Sequence, residues 1–521
     1  MKKLNLFSTY TLFVVLIVMS FVYGYFEILN LKPYGIHYWR QSDCLAFAGN
    51  YYQQDLSLIK PEIYWLGNTS NGAAASEFPV LYYLTAKIWN ITGQNDKVLR
   101  LINIFIVFTG LFFLLKIFTK QTGLKFWSLL SVMLLFTSPM LVFYTNNFLP
   151  DAPAFALALI GLFFAWNYYT SFKIKHLYLT ALFFLLAGLI KISSLIGLFA
   201  LLPIHIYILF FDKAKRVKYN TLIPFLLIFT AIAAWYYYAF RYNSVNLEGV
   251  FRQGISPVWE YSNTQRNEIF EAFKKDIFPL FFNVYALGIM GILLLLTIVL
   301  VKHTNKFLLA YFAFLLFGTI GYFTLFYVVF DAHDYYLVNI LIIIPAFLLL
   351  FLDFANRSFN FINNKFLKIA LSVITALLIL LTAQINRQKY FSADEDFLVK
   401  NGIYEVDQKW EWNHYDYKKR FKALESIRPY LQEIGIKPEE KIISIPDPTP
   451  NYSLYLMGHK GWSDYDPYNK DLEYKFKRSL KYGAEYLVVN DTVVFSERKY
   501  LEKYRNNLVG KYENVYIYRL N

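Results

Sequence analysis

Apolar runs of roughly 20 residues recur along the first three quarters of the chain, separated by short polar breaks. A helix of about that length crosses the hydrocarbon core of a bilayer. The pattern predicts eleven spans, near 7–27, 100–119, 125–145, 152–170, 176–190, 193–211, 220–240, 279–301, 306–330, 336–353 and 366–384. The fifth is short, as a tilted or partly re-entrant helix would be. Segment 78–92 is apolar but carries Lys87 and Asn90. It is too short to cross and predicts a helix lying at the membrane surface. From about Asn386 the pattern changes to a charged and aromatic mixture. Helical spacing returns at 426–434, and short strands are expected at 441–445, 485–489 and 515–518, with Pro446-Asp447-Pro448 as a turn signal between them. The expected architecture is an α-helical polytopic membrane domain over 1–385, with a long first loop at 28–99, followed by a small α/β domain over 386–521.

Composition agrees with that division. Hydrophobic residues make up 57% of the 521 and charged residues only 17%, against about a quarter in an ordinary soluble domain. The net charge of +14 would suggest nucleic acid in a soluble protein, but here topology explains it. With the N-terminus in the cytoplasm, the loops on that side collect Lys2, Lys3, Lys116, Lys120, Lys125, Lys173, Lys175, Lys213, Lys215, Arg216, Lys218, Lys302, Lys306, Arg357, Lys365 and Lys368, against Asp212 and Asp353. The short loops of the opposite face hold Lys191 alone. An odd number of spans then puts loops 28–99 and 241–278, and the C-terminal domain, outside a multi-pass cell-membrane protein. The apolar run behind Met1-Lys2-Lys3 is long for a signal peptide and lacks a small-residue cleavage site, so it is expected to stay as the first span. A single cysteine, Cys44, excludes an intramolecular disulfide.

Ionisable groups at membrane depth cost about 2.5–3.5 kcal/mol on insertion scales, so those beside the spans need a reason. On the outer face they are Asp43, Glu77, Asp151, Lys191 and the group Asp331, His333, Asp334. Asp43 follows His37-Tyr38-Trp39-Arg40-Gln41-Ser42, with Phe47, Asn50 and Tyr51 at helical spacing beyond it. No P-loop or GxGxxG motif accompanies them. Asp43 is a candidate general base, and Lys191, Arg241 or Arg252 are candidate cations for an anionic group. Each has an ordinary reading too. Asp151 opens a helix, where the dipole favours any carboxylate; Lys191 is placed to snorkel; Arg241 is placed to anchor a span. Trp39 and Trp65 belong to an interfacial belt or stack on sugar faces. Asn68-Thr69-Ser70 is a glycosylation sequon, with meaning only in a secretory-pathway host.

Taken in order, Arg40-Gln41-Ser42-Asp43, Glu77-Phe78-Pro79, Pro150-Asp151-Ala152-Pro153 and His333-Asp334-Tyr335-Tyr336 resemble bacterial members of glycosyltransferase family 39. These are relatives of protein mannosyltransferases and lipid A aminoarabinose transferase, with the GT-C fold. The resemblance covers about residues 1–385. It implies an integral-membrane glycosyltransferase that moves a sugar from a polyprenyl-phosphate donor to an extracytoplasmic lipid, glycan or protein, with inversion. It makes Asp43 and Asp151 the catalytic carboxylates. Glu77, Lys191, Arg241, His333, Tyr335 and Tyr336 become substrate-binding residues, and Glu77 and His333 candidate ligands of a divalent metal ion. Protein mannosyltransferases carry two adjacent acidic residues in this loop, and here Asp43 has Ser42 beside it, which argues against a protein hydroxyl as acceptor. The competing class is a polytopic lipid or sugar transporter without transferase activity. Transporters bind near the midplane, whereas these polar groups gather at one face.

Overall fold

The computed structural model describes residues 6–212, 217–246, 249–251, 254–299, 303–359, 364–403 and 406–520. Lys2, Lys3, Lys213, Lys215, Arg216, Arg252 and Lys302 lie outside the described residues. Contacts divide the chain into two compact units. One comprises 1–29, 100–234 and 254–387; the other comprises 30–99, 235–253 and 388–521.

The first unit is a helical bundle; helices lie at each of the expected spans as far as the residues are described, 300–301 lying outside the described residues. Among the described residues, seven helices are long and apolar enough to cross a membrane. Two bent pairs, Lys125–Leu135 with Pro139–Thr145 (78°) and Asn263–Phe281 with Val284–Val299 (86°), bring the number to nine if each is one span. Tyr10–Val22 and Ile174–Ile190 are shorter apolar helices. Burial separates centre from periphery: 94% of the apolar window of Asp334–Ser358 is buried, against 22% for Lys365–Gln388. The latter keeps its apolar side chains for lipid.

The first bend has a specific cause. Pro139 cannot donate a backbone hydrogen bond and begins a new helix, which Ser138 caps by accepting from Leu141 N at 3.2 Å. Carbonyls freed at the break find partners, because hydrocarbon offers none. Tyr23 donates to Phe136 O at 2.7 Å, and Thr382 donates to Thr137 O at 2.6 Å. Close helix approach depends on Gly110, where a Cβ would sit 2.7 Å from that of Ala156, the small-on-small contact that membrane helices use.

The second unit is built on a five-stranded mixed sheet. Its strands are β1 (Ile442–Ile445), β2 (Gly461–Trp462), β3 (Tyr486–Val489), β4 (Leu508–Tyr512) and β5 (Val515–Arg519), in the order β2-β1-β3-β5-β4. β1 pairs in parallel with β2 and β3, and β5 is antiparallel to β3 and β4. β1 and β3 are buried throughout and apolar except for Ser444, as expected of strands covered on both faces. The three expected strands are β1, β3 and β5, and the expected helix is Arg428–Glu433. β2 and β4 carry no clear alternation and are not legible from the pattern.

The first loop belongs to this unit and completes its sheet. Beyond β2, Leu66 N donates to Gly461 O at 2.9 Å and Gly461 N donates to Tyr64 O at 3.0 Å. Gly461 lies between two backbones, and a Cβ there would sit 1.8 Å from Ile442 O. Trp462 Nε1 donates to Gly67 O, Tyr455 to Asp96, Tyr452 to Pro33 O, and Lys460 pairs with Glu62. Gly461→Ala is therefore expected to lower stability by about 1–3 kcal/mol or more through overpacking. Limited proteolysis of the purified protein should then cut within 62–73, a segment the wild type protects.

Candidate active site

In the second unit the helix Tyr38–Gln54 carries the first cluster. It opens from His37, which holds a left-handed φ of 58°, a conformation that costs a non-glycine residue of order 1–3 kcal/mol. Gln41 offsets part of that by donating to Tyr34 O at 2.7 Å and Ile36 O at 2.9 Å. Arg40 and Asp43, three apart, share a face. Arg40 Nη2 reaches both oxygens of Glu77, at 2.6 and 2.7 Å. Its Nη1 lies 3.8 Å from Asp43 Oδ2. Ser76 and Tyr82 also donate to Glu77. The loop segment bearing Glu77 is itself clamped: Asn243 exchanges two 2.7 Å hydrogen bonds with the backbone of Ala75.

Asp43 is 2% exposed and accepts from Asn451 Nδ2 at 2.7 Å. The Oδ1 of Asn451 meanwhile accepts from Tyr64 N and Trp65 N. Burial pushes the Asp43 carboxyl up to about 7, against the lowering effect of Arg40 and of the Asn451 hydrogen bond. A carboxyl that ionises near neutrality suits a general base. Cys44, next in sequence, is buried against Tyr82, and burial pushes its thiol up to about 12, which leaves it inert.

The first unit carries the second cluster. Asp151 begins the helix Asp151–Ser171, where the helix dipole favours its charge. The turn before it is pinned: Asn103 donates to Asn147 O at 2.8 Å and Leu149 O at 3.2 Å, and Arg100 donates to Asn146 O and lies 4.0 Å over the Phe148 ring. Lys191 stands between the helix Ile174–Ile190 and the turn Ile192–Leu195, with extended backbone. Its Nζ lies 2.9 Å from Asp151 Oδ1, 4.3 Å from the Tyr336 ring centroid and 5.0 Å from that of Tyr335. The two tyrosine rings stack at 4.8 Å, His333 packs edge-on against both, and Tyr144 donates to Asp334.

The structure thus gathers Asp43 and Glu77 around Arg40, and Asp151, Tyr335, Tyr336 and His333 around Lys191, one cluster in each unit. Lys191 pairs with a buried carboxylate instead of snorkelling. Arg241 is exposed on the helix Ile223–Val245 and joins neither cluster. Trp65 is 1% exposed, so it is closed to a sugar face and serves as core. Asn451 had no local signal, and Arg40 had only its spacing from Asp43. Divalent metal ligation fits the residues poorly. Arg40 already meets both Glu77 oxygens, and a second cation there would be repelled. Among the described residues no three His, Cys, Asp or Glu side chains gather as a ligand set.

No protein-family model and no curated protein matches the chain. Solved structures do. ArnT from Cupriavidus metallidurans, bound to undecaprenyl phosphate, aligns with a TM-score of 0.55 at 10% identity, over 97% of this chain and 98% of that one. The apo form aligns equally well, at TM-score 0.55 and 10% identity over 97% of each chain. The chain has the fold of ArnT, the GT-C architecture.

Arg40→Met would leave the Glu77 and Asp43 carboxylates buried without their cation, which is expected to cost about 3–5 kcal/mol. Adding Glu77→Gln should restore part of the loss. A double-mutant cycle on thermal or denaturant unfolding measures the coupling, and additive losses would contradict the cluster.

Proposed function

We propose that this protein is a membrane glycosyltransferase that moves a sugar from a polyprenyl-phosphate carrier to an acceptor outside the cytoplasm. One observation carries the reading: a buried carboxyl poised near neutrality stands in the first loop of a chain whose fold, over nearly its whole length, is that of ArnT. The ArnT structure holds undecaprenyl phosphate, which supports the same class of donor here.

In this mechanism Asp43 takes the proton of an acceptor hydroxyl. The oxygen attacks the anomeric carbon as the bond to the carrier phosphate breaks, and the phosphate leaves with the electron pair. The new glycosidic bond has inverted configuration. Asn451 and Arg40 are positioning residues for Asp43, because they fix its carboxylate and stabilise its charged form. Within the first unit, Lys191, oriented by Asp151 and by the tyrosine faces beneath it, is a candidate cation for a lipid phosphate, since a preorganised cation stabilises negative charge without reorganisation.

Purified protein incubated with labelled polyprenyl-phosphate sugars and a membrane glycan or lipid extract should transfer label. Asp43→Asn should lower turnover by about 10²–10⁴-fold while lipid-donor binding survives; near wild-type turnover would reassign the base. The ionised form of Asp43 exists above its pKa, so activity should rise as pH climbs through about 7. Asn451→Leu removes a hydrogen bond that favours the ionised form, so the rise should move to higher pH.

The charge bias of the short loops also supports a cytoplasmic N-terminus and an external C-terminal domain. In a Cys44→Ser background, a cysteine placed at exposed Lys511 should react with a membrane-impermeant maleimide from outside intact cells. Labelling only after the cytoplasmic face is opened would overturn the orientation and the mechanism with it.

A further inference from the structure

Of the two first-loop tryptophans, the structure leaves Trp39 open, at 38% exposure, and buries Trp65. Tyr465, from the loop after β2, stands edge-on to both indoles, 5.3 Å from Trp39 at 78° and 5.2 Å from Trp65 at 79°. The Trp39 ring is therefore braced from behind by half-buried Tyr465, which itself rests on buried Trp65. The loop that presents Tyr465 is itself rigid. Arg498 pairs with Asp464 through two bonds of 2.7 and 2.9 Å, Arg478 pairs with Asp466 at 2.7 Å, and Ser463 Oγ accepts from Tyr465 N at 3.2 Å. On the other side, the strained His37 fixes where the helix begins. Structure that restrains two flanking segments preorganises the surface between them.

Trp39 and Asp43 are four residues apart on one helix, so they lie on one face about 6 Å apart along the axis. That is about the width of a pyranose ring plus one hydroxyl. An indole face stacks on the C–H face of such a ring, while the ring's hydroxyls point outward at its edge. An interfacial anchor would have lipid-facing neighbours. Trp39 instead has Arg40 beside it and a tyrosine from the water-soluble α/β domain against it.

We propose that Trp39, braced by Tyr465, is a stacking platform for a pyranose ring of a glycan acceptor, and that it delivers a hydroxyl of that ring to Asp43. This rests on the glycosyltransferase reading for the role of Asp43, but the platform itself can be tested without turnover. It assigns the acceptor to saccharides, as opposed to a protein side chain or a bare lipid hydroxyl. It also gives the C-terminal domain a task, as the source of Tyr465.

The test is direct binding to the purified full-length protein, by saturation-transfer NMR and by tryptophan fluorescence, of three soluble probes: cellotetraose, chitotetraose and mannotetraose. At least one should bind. Trp39→Ala and Tyr465→Ala should each weaken it about tenfold or more, and Trp39→Phe should keep most of the affinity. Trp412→Ala, at an indole 66% exposed on the helix Gln408–Arg420, should change nothing. Where transfer is measurable, Trp39→Ala should raise KM for the acceptor and leave KM for the lipid donor unchanged. Binding without transfer would sink the proposed reaction and leave the platform standing. Transfer by wild type with no glycan bound, a KM effect confined to the donor, or a Trp39→Ala defect limited to membrane insertion would each overturn the platform.

Discussion

Hydrocarbon has no hydrogen-bond partners to offer, and a backbone that breaks its helix inside it must find them within the protein. The membrane unit is organised around that constraint. Where Pro139 stops a helix, Tyr23 and Thr382 reach from other spans to take the released carbonyls. In the turn before Asp151, the carbonyls of Asn146, Asn147 and Leu149 go to Arg100 and Asn103, both wholly buried. Breaks are costly, and each is positioned by several elements at once. They are also where a polar side chain can leave the helical lattice, as Lys191 does between two helices.

The same low polarity sets the behaviour of the charges. Asp151 with Lys191, and Glu77 with Arg40, are largely buried pairs. Such pairs add little net stability, because desolvation offsets most of their attraction. Their effect is geometric: once buried, neither partner can turn elsewhere without leaving the other uncompensated. Asp43 differs, because its nearest cation stands 3.8 Å away and Asn451 supplies a neutral hydrogen bond. Partial compensation leaves its proton exchangeable near neutral pH, which full pairing would not.

Spans and the three buried strands were legible because each follows from a local period, and the outer-face polar residues stood out against apolar runs. Long-range pairing was not legible. Nothing near Asp43 announces Asn451, which is 408 residues away, and the five-residue strand Leu508–Tyr512 is mostly exposed and lacks an apolar face. Trp39 and Trp65 look alike in sequence. Only the parallel bridge from Trp65 to Gly461 decides which of them is core. Glu77 resembles a metal ligand until Arg40 is seen to hold both of its oxygens.

The edge that the first loop shares with β2 has a consequence for how the protein is made. Residues 30–99 emerge early from the ribosome, yet the strand, the asparagine and the tyrosines that complete their core lie beyond residue 440. All the intervening spans must be inserted first, which at 5–20 residues per second takes on the order of tens of seconds. Throughout that interval Trp65, Tyr64 and the Asp43 carboxyl have no finished interior to enter. The hydrogen bond from Asn451 to Asp43 therefore reports that synthesis has passed residue 451. A chain truncated before Asn451 would insert its spans and still leave the Asp43 carboxyl without that bond.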